Sequence, residues 1–405
     1  MSTPNTKFPA LGQVPSDPES AKDALRTTRD RASYWICPRC VMDTSDPEIL
    51  RQPSGYCNHC TDYLDKRVKL LHRDTDKGPL LALFDRIRKA GKGRAYDCVV
   101  GVSGGVDSSY VAYLAVRHGL RVLAVHMDNG WNSPIAVENI NNLVKRLNLG
   151  YCSYVLPWNE FRKVQVAFLK ASVPEAETPT DIAIQRAVHK TAAQHGVKYI
   201  LSGGNIASEG ILPLSWHYNA RDTKYSYAIM DAAGCSRRLF RSQKFGFLEE
   251  CWYKFGRGIR TVYPLNQLIY DKDAARVELE KECNWRYYGS KHGESRFTRF
   301  IQTYYLVAKH GIDYRRATLS SEICLGQIGR TEALALLERP PFDIAQVESE
   351  ITYIAKKLAI TPEELRVINA APPRWYFDFP NNKKMLSKAY DLYRYVAGKQ
   401  KTTSM

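Results

Sequence analysis

The residues best suited to chemistry lie between Val99 and Ser109, where an apolar run gives way to glycines, serines and one aspartate. The apolar run from Tyr96 to Val102 predicts a strand covered on both faces, and the residues from Val106 onward follow a helical period. Free amide groups at the start of such a helix carry a partial positive charge that suits phosphate. The stretch therefore predicts a phosphate-binding loop between a strand and a helix.

Six residues of this loop are expected to bind a nucleotide: Ser103, Gly104, Gly105, Asp107, Ser108 and Ser109. A carboxylate repels phosphate unless a cation lies between them, so we expect Asp107 either to hold Mg²⁺ or to cap the helix. The loop lacks the lysine and the four-residue spacer of the common P-loop. It resembles instead the PP-loop of adenylating ATP pyrophosphatases, and this resemblance implies attack at the α-phosphorus of ATP.

Four cysteines precede this loop in two Cys-x-x-Cys pairs, Cys37 with Cys40 and Cys57 with Cys60. Sixteen residues separate the two pairs, which is a spacing that lets four thiolates surround one ion. A closed shell of four sulfur atoms leaves no position for water, so we expect a structural zinc ion. His59, inside the second pair, is the alternative ligand.

The composition narrows the possible classes of function. A chain of 405 residues with 44% hydrophobic content can bury a sizeable core, and no apolar run approaches the ~20 residues of a membrane span. The net charge of +16 favours anionic partners such as nucleotides, nucleotide sugars or nucleic acid. Ten cysteines without a signal-like apolar segment indicate metal ligands and buried thiols. We therefore expect a cytoplasmic protein without membrane insertion.

Strands and helices alternate after residue 95, which predicts an α/β fold: an open parallel sheet of about five strands with helices on both faces. The predicted strands cover residues 96–102, 121–127, 151–156, 198–202 and 259–262. We expect four regions: a flexible tail over residues 1–34, a zinc ribbon and helical arm over 35–94, an ATP-binding domain with a substrate-recognition insertion over 95–270, and a C-terminal helical domain over 271–405.

Loops at the carboxyl ends of two predicted strands carry polar or glycine residues. Asp128 and Asn129 follow the second strand, and Gly203, Gly204 and Asn205 follow the fourth. Ligands of open α/β sheets bind beyond these strand ends, so we expect the five residues to meet the nucleotide. The alternative is that Asn129-Gly130 and Gly203-Gly204 are simple turn residues.

Two polar stretches further along the chain are candidates for substrate binding and catalysis. Residues 208–260 mix aromatic and cationic side chains that could stack on a ligand and hold phosphate, although a solvated basic face is the alternative. The candidate substrate-binding residues are Glu209, Trp216, Asn219, Arg221, Asp222 and Arg296. In the second stretch, residues 284–300, Lys291 could neutralise pyrophosphate and His292 or Glu294 could move a proton. With Asp107, these three form the candidate catalytic set.

Five motifs together resemble the N-acetyl sugar amidotransferases, the WbpG/PseA-like family of surface-polysaccharide and flagellin-glycan biosynthesis. They occupy residues 37–49, 55–60, 103–109, 219–222 and 291–298, and the most specific is the doubled cysteine motif with its Met-Asp-Thr-Ser-Asp-Pro extension. The resemblance implies that ATP and Mg²⁺ are used to convert a sugar N-acetyl group to an acetamidino group. An O-adenylated imidate forms in that reaction, and ammonia displaces AMP from it.

The same resemblance implies the partners. The substrate would be a nucleotide sugar, and ammonia would come from a separate glutaminase through a channelling, synthase-like subunit. Ser2 could not supply the N-terminal cysteine of a glutaminase, and the chain offers no other obvious one. Nucleic acid is not expected as a partner.

Two other functions compete with this interpretation. A tRNA-modifying PP-loop adenylase, of the thiolase or lysidine type, would explain the positive charge, but the six remaining cysteines show no Cys-x-x-Cys pairing. A zinc-ribbon binding module with a degenerate nucleotide domain is disfavoured by the intact loop.

Overall fold

The protein contains one five-stranded parallel sheet in the order β3-β2-β1-β4-β5. The computed structural model describes residues 34–72, 76–289 and 293–396, so nearly all of the expected N-terminal tail lies outside the described residues. The strands are β1 Cys98–Gly101, β2 Val122–Asp128, β3 Gly150–Val155, β4 Tyr199–Leu201 and β5 Arg260–Val262. Each overlaps its predicted range, and the predicted α/β fold with an open parallel sheet is confirmed.

Strand β1 lies at the centre of the sheet. Val99 pairs with Leu123 of β2 on one side and with Ile200 of β4 on the other. The chain runs outward through β2 and β3 on one side and then through β4 and β5 on the other, so the strand order reverses at β1. Clefts at such a reversal are where open α/β sheets bind ligands, which places the loop after β1 at the expected binding edge.

Helices cover the sheet and form the C-terminal region. The helices up to residue 283 are α1 Asn58–Asp62, α2 Gly78–Ala90, α3 Val106–Arg117, α4 Pro134–Arg146, α5 Trp158–Lys170, α6 Thr178–Gln194, α7 Ile206–Glu209, α8 Thr223–Ala232, α9 Phe247–Cys251 and α10 Lys272–Cys283. The C-terminal helices are α11 Arg296–Phe300, α12 Leu306–His310, α13 Arg315–Leu325, α14 Arg330–Glu338, α15 Ile344–Leu358, α16 Pro362–Ala370 and α17 Lys383–Val396. Among the described residues, no helix is both long enough and apolar enough to cross a membrane.

Shorter helical turns complete the chain. Three of them are π-helical, Tyr63–Arg67, Trp252–Gly256 and Ile301–Tyr305, and four are 3₁₀-helical, Val68–Leu70, Arg237–Phe240, Pro264–Gln267 and Tyr376–Asp378. The π-helical turn Ile301–Tyr305 joins α11 to α12 without a break, and such turns are frequent beside functional sites.

The stretch of residues 208–260, predicted as a substrate-recognition insertion, is partly helical. It contains α8, α9 and a compact hydrophobic cluster that includes Tyr218, Tyr225 and Phe240. The ring of Tyr218 stacks on that of Tyr376 with 4.5 Å between centroids. Several of its aromatic residues therefore pack against each other, because burial of their large apolar rings stabilises this part of the fold.

The two cysteine pairs pack against the C-terminal helices. The guanidinium group of Arg330 donates hydrogen bonds to the carbonyl oxygens of Cys40 at 3.0 Å and Cys37 at 3.1 Å. Arg316 donates to the carbonyl oxygen of Val41 at 2.7 Å and pairs with Asp43 at 3.1 Å. Residues near the start of the described chain are thus tied to α13 and α14.

Candidate functional site

A cavity of about 430 Å³ opens beyond the carboxyl ends of β1, β2 and β4. The predicted site residues that line it are Ser103, Gly105, Asp107, Ser108, Asn129, Gly203, Gly204, Glu209, Trp216 and Glu294. The sheet edge therefore brings the phosphate-binding loop together with the two strand-end loops and with part of the predicted substrate-binding and catalytic sets.

The phosphate-binding loop leaves the first amide groups of α3 without a side-chain cap. Gly105 is the N-cap residue of that helix and has no side chain to accept from the first amide groups. The Ser103 hydroxyl accepts a hydrogen bond from the Gly105 amide at 3.3 Å and lies 3.3 Å from the Ser108 hydroxyl. This arrangement leaves a concave surface of hydroxyl and amide donors, which suits phosphate oxygens.

Two glycines are required by close packing around this loop. Gly104 has a φ of +83°, and a Cβ atom there would lie 2.5 Å from the carbonyl oxygen of Ala136. Its own carbonyl oxygen accepts a hydrogen bond from the Trp285 indole at 3.0 Å, so Gly104 does not line the cavity as predicted. A Cβ atom on Gly203 would lie 2.7 Å from the Ser108 amide nitrogen, so the loop after β4 touches the start of α3 directly.

Asp107 is bound by two residues that sequence analysis missed. Its carboxylate accepts a hydrogen bond from the Tyr270 hydroxyl and lies 3.0 Å from the Lys272 ammonium group. Burial lowers the pKa of Lys272, but the adjacent Asp107 outweighs it, and the pKa lies above its ordinary value. Lys272 also lines the cavity, so it supplies a cation of the kind that the common P-loop places within its own motif.

Glu294 is a second carboxylate beside the loop. A Cβ atom on Gly105 would lie 3.5 Å from the Glu294 carboxylate and 3.5 Å from the Tyr288 hydroxyl. The pKa of Tyr288 lies well above its ordinary value, chiefly because of burial and also because of the negative charges of Glu294 and Asp107. Both carboxylates therefore act on the Tyr288 hydroxyl. Hard oxygen ligands of this kind suit Mg²⁺ in the presence of phosphate. Lys291 and His292 lie outside the described residues.

Besides Gly104, three predicted nucleotide-binding residues do not line the cavity: Ser109, Asp128 and Asn205. Ser109 is fully buried on α3. Asp128 accepts a hydrogen bond from the amide of Gly130 at 2.8 Å, and Asn205 caps α7 by accepting from the amide of Ser208 at 2.9 Å. Asp128 and Asn205 thus make local hydrogen bonds at a turn and at a helix start.

Four predicted substrate-binding residues also lie away from the lining. Asp222 caps α8 and accepts a hydrogen bond from the Tyr218 hydroxyl at 2.7 Å. The side chain of Asn219 accepts a hydrogen bond from the Arg221 amide at 3.0 Å. The other two form ion pairs, Arg221 with Glu250 at 3.0 Å and Arg296 with Glu350 at 2.8 Å. Capping and ion pairing require the same residue types as ligand binding, so the sequence could not separate the two roles.

The far wall of the cavity is acidic, which sequence analysis did not predict. It includes Glu175, Glu177 and Asp181 together with the Thr178 hydroxyl. Burial raises the pKa of Glu175 to about 7, and burial with the charge of Asp181 raises that of Glu177 to about 8. Burial also raises the pKa of Asp181. The chain as a whole is strongly basic, so this wall differs from the average surface.

Trp216 lines the same cavity. Its indole N–H is buried and has no partner among the described residues. The preceding Ser215 donates to Asp46 at 2.5 Å, and Asp46 in turn contacts the His59 ring at 2.6 Å. The cysteine-rich segment therefore fixes the backbone beside Trp216.

Cys37, Cys40, Cys57 and Cys60 form a metal site. All four are fully buried, and their sulfur atoms lie within 4.8 Å of one another. The Sγ–Sγ distance is 3.8 Å for Cys37 and Cys60, 3.6 Å for Cys40 and Cys57, and 3.5 Å for Cys57 and Cys60. A tetrahedral site with metal–sulfur bonds of 2.3 Å requires sulfur atoms about 3.8 Å apart. His59 binds Asp46 and is not part of this set.

Two family models match the chain. Residues 82–175 match NAD synthase, and residues 294–394 match the C-terminal domain of WbpG-like proteins of LPS biosynthesis. These matches confirm the predicted resemblance: a domain of the PP-loop superfamily precedes a WbpG-like C-terminal domain. The chain is therefore related to ATP-utilising enzymes of the PP-loop superfamily.

One curated relative is a probable tRNA sulfurtransferase from Streptococcus gordonii, 28% identical over 140 residues. The match covers 32% of this chain and 34% of the relative, so the chain spans about a third of that protein. Among solved structures, the NH3-dependent NAD synthetase of Campylobacter jejuni is 16% identical with a TM-score of 0.28, covering 52% of this chain and 94% of the other. The U34-tRNA thiolase NcsA of Methanococcus maripaludis with its [4Fe-4S] cluster is 16% identical with a TM-score of 0.32, covering 75% and 88%.

Replacing the cavity lysine tests its role. We expect Lys272→Met to lower ATP-dependent AMP release by about 100-fold, because the cation beside the phosphate-binding loop is lost. Lys281→Met is the matched control, since Lys281 lies on the same helix with its side chain 81% exposed. Equal rates for the two variants would contradict the assignment of Lys272 to the site.

Removing one sulfur ligand tests the metal site. We expect Cys57→Ser to lose the bound metal and to lower the thermal midpoint by at least about 5 °C, because the ion joins two segments of the chain. Cys235 lies outside the four-cysteine cluster, so Cys235→Ser should keep the bound metal and the thermal midpoint of the wild-type protein. Metal analysis and thermal denaturation measure the difference, and full metal content in Cys57→Ser would refute the assignment.

Proposed function

We propose that this chain, which joins a PP-loop domain to a WbpG-like C-terminal domain, is an ATP-dependent amidotransferase. Its acceptor is an N-acetyl group of a nucleotide-linked sugar, and its product is the corresponding acetamidino sugar. The pathway is the assembly of a surface polysaccharide or a flagellin glycan. The proposal follows the family resemblance of the motifs, and the geometry of the cavity supports it.

One observation carries most weight: residues of both matched regions line one cavity. The loop residues Ser103 and Asp107 belong to the NAD synthase match, whereas Glu294 and Thr298 belong to the WbpG-like match. The domain that occurs in WbpG-like proteins thus faces the phosphate-binding loop directly. An acceptor held by the C-terminal residues would lie beside the bound nucleotide, as an adenylation reaction requires.

In the first step, the amide oxygen of the acceptor attacks the α-phosphorus of ATP and pyrophosphate leaves. The amides and hydroxyls of the loop hold the phosphates, and Lys272 neutralises charge on the leaving group. Asp107 and Glu294 would hold Mg²⁺, which supplies further positive charge to the phosphates. No side-chain nucleophile is needed, because the acceptor oxygen itself attacks.

In the second step, ammonia attacks the carbon of the O-adenylated imidate and AMP leaves. An amide is a poor electrophile because its oxygen leaves badly, whereas AMP is a good leaving group. The protein must hold the reacting atoms in line and keep water away from the activated carbon. Trp216 and Ile301 contribute apolar surface to the cavity, which limits the access of water.

We assign zinc to the four-cysteine site. The sulfur atoms are 3.5 to 3.8 Å apart in the three closest pairs, which suits one tetrahedral ion; a four-iron cluster would require wider spacing. The ion would have a structural role, since four protein ligands leave no open position. It would hold Asp46, and through Ser215 the backbone beside Trp216.

Ammonia is proposed to come from a separate glutaminase through a channelling, synthase-like subunit, and the complex is proposed to act in the cytoplasm, where ATP and nucleotide sugars are available. The support for these partners is the family resemblance. Free ammonium should therefore replace the partner subunits in an assay with the isolated chain.

A tRNA-modifying adenylase is the second candidate, favoured by the match to the tRNA sulfurtransferase and by the net charge of +16. Sulfur transfer needs a reactive cysteine or a cluster near the nucleotide, and no cysteine is among the described residues that line the cavity. Tight tRNA binding that weakens steeply with salt would favour this candidate.

An assay with the isolated chain tests the proposal. With ATP, Mg²⁺, ammonium and UDP-linked diacetamido sugars, we expect AMP release that requires both the sugar and the magnesium ion. Asp107→Ala should reduce that rate by at least about 100-fold, because it removes the carboxylate beside the phosphates.

The control for folding is Asp85→Ala, which changes an exposed carboxylate on α2. AMP release that depends on tRNA and not on any acetamido sugar would contradict the proposal. So would the absence of AMP with every diacetamido sugar while wild-type protein still binds ATP.

A further inference from the structure

The acidic wall of the cavity, Glu175, Glu177 and Asp181, is negatively charged when ionised, whereas a nucleotide site needs positive charge. Glu175 accepts hydrogen bonds from the Tyr218 amide at 3.3 Å and the Tyr225 hydroxyl at 3.1 Å, so it is held in place by neutral donors. Glu177 accepts from the Thr298 hydroxyl at 2.5 Å. Both carboxyl groups are therefore positioned without a full counter-charge.

No lysine or arginine within the described residues forms an ion pair with these carboxylates. The Nε2 atom of His217 lies 3.7 Å from Asp181, and the charge of Arg221 also acts on that carboxyl group. Buried carboxylates normally have a paired cation, because removing a charge from water is costly. The raised pKa values of Glu175 and Glu177 are the expected consequence when no cation is bound.

A second observation points to a ligand at this wall. The Thr178 side chain is 1% exposed, lines the cavity, and its hydroxyl oxygen has no hydrogen-bond partner among the described residues. A buried hydroxyl without a partner is unfavourable unless a bound molecule satisfies it. Thr178 is adjacent to Glu177 and one helical turn from Asp181, so the three acceptors can serve one small ligand.

The ligand should be a small cation that donates several hydrogen bonds. A divalent metal without phosphate ligands fits poorly here, because the four cysteines are the only convergent set of three or more metal-type ligands among the described residues. At Asp107 and Glu294, phosphate oxygens would complete the ligand shell of Mg²⁺. Ammonium has four N–H donors and fits carboxylate and hydroxyl acceptors that are spread apart. The partial positive charge at the start of α6, about half an elementary charge, is outweighed by the carboxylates.

We propose that Glu177, Asp181 and Thr178 form an ammonium-binding subsite and that Glu177 accepts the proton that converts bound ammonium to ammonia. The inference rests on the proposed amidotransferase function, for which it identifies the place of the nitrogen donor. The subsite shares the cavity with the phosphate-binding loop, so released ammonia is next to the activated acceptor.

The proposed reaction transfers a proton from ammonium to Glu177 before nitrogen attacks the imidate. An N–H bond of ammonium breaks, its electron pair stays on nitrogen, and the proton goes to a Glu177 oxygen. That pair then forms the bond to the imidate carbon, while the carbon–oxygen bond to AMP breaks and its electrons leave on the AMP oxygen. The added nitrogen gives one further proton to Asp181 and remains as part of the amidinium cation. Both carboxyl groups lose their protons to solvent after product release.

The partly buried position of Glu177 in the cavity lining makes this transfer feasible. Burial and Asp181 raise the pKa of Glu177 to about 8, so its basicity approaches that of ammonia. A carboxylate with an ordinary pKa would be too weak a base to deprotonate ammonium effectively. Glu177 is a catalytic residue under this proposal, and Asp181 both binds the cation and accepts the second proton.

The first test measures binding alone. The thermal midpoint of the full chain is followed as ammonium chloride replaces tetramethylammonium chloride at constant chloride, without ATP or sugar. We expect ammonium to raise the midpoint of wild-type protein by about 1–3 °C. Glu177→Gln and Thr178→Val should lose this increase, whereas Glu332→Gln, an exposed acid on α14, should keep it.

The second test measures turnover in the assay with ammonium and a diacetamido sugar. Glu177→Gln should raise the ammonium concentration for half-maximal AMP release by at least about tenfold and leave that for ATP within about twofold. The glutamine retains an acceptor for the Thr298 hydroxyl, and it removes an ionisation that destabilises the folded protein as the pH rises toward 8. We therefore expect this variant to fold.

The two failures are distinguishable. The subsite would be overturned if ammonium did not raise the thermal midpoint of wild-type protein, or if it raised that of Glu177→Gln equally. It would also be overturned if Glu177→Gln needed the same ammonium concentration for turnover as wild-type protein. The absence of AMP from wild-type protein with every acetamido sugar, despite an ammonium effect that depends on Glu177, would overturn the proposed reaction and leave the binding subsite supported.

Discussion

The ion pair between Asp107 and Lys272 is the contact on which the site depends. It joins the start of α3 to the start of α10, which follows β5, across 165 positions of the chain. A carboxylate beside a phosphate-binding loop would repel the ligand if it were not balanced by a cation. Lys272 provides that balance.

The cavity has two electrostatic halves that suit two different reactants. The loop, Lys272 and the amides at the start of α3 favour phosphate, whereas Glu177 and Asp181 favour a small cation. The four-cysteine site, which lies outside this cavity, stabilises its wall through Asp46 and Ser215.

Features that depend on local spacing could be predicted from the sequence. The alternation of strands and helices gave the parallel sheet, and the doubled Cys-x-x-Cys spacing gave the metal site. Roles that depend on distant contacts could not be predicted. Asp222 and Asn205 are polar residues beside glycines or aromatics, as binding residues often are, yet both cap helices. Glu177 was missed because its position in the sequence does not reveal that it lines the cavity together with Asp181.

The most direct measurement is mass spectrometry of a UDP-linked diacetamido sugar after incubation with the isolated chain, ATP, Mg²⁺ and isotopically labelled ammonium. The account predicts a product in which one amide oxygen has been exchanged for labelled nitrogen, formed together with AMP. An unlabelled sugar of unchanged mass, with AMP formed only when tRNA is present, would contradict it.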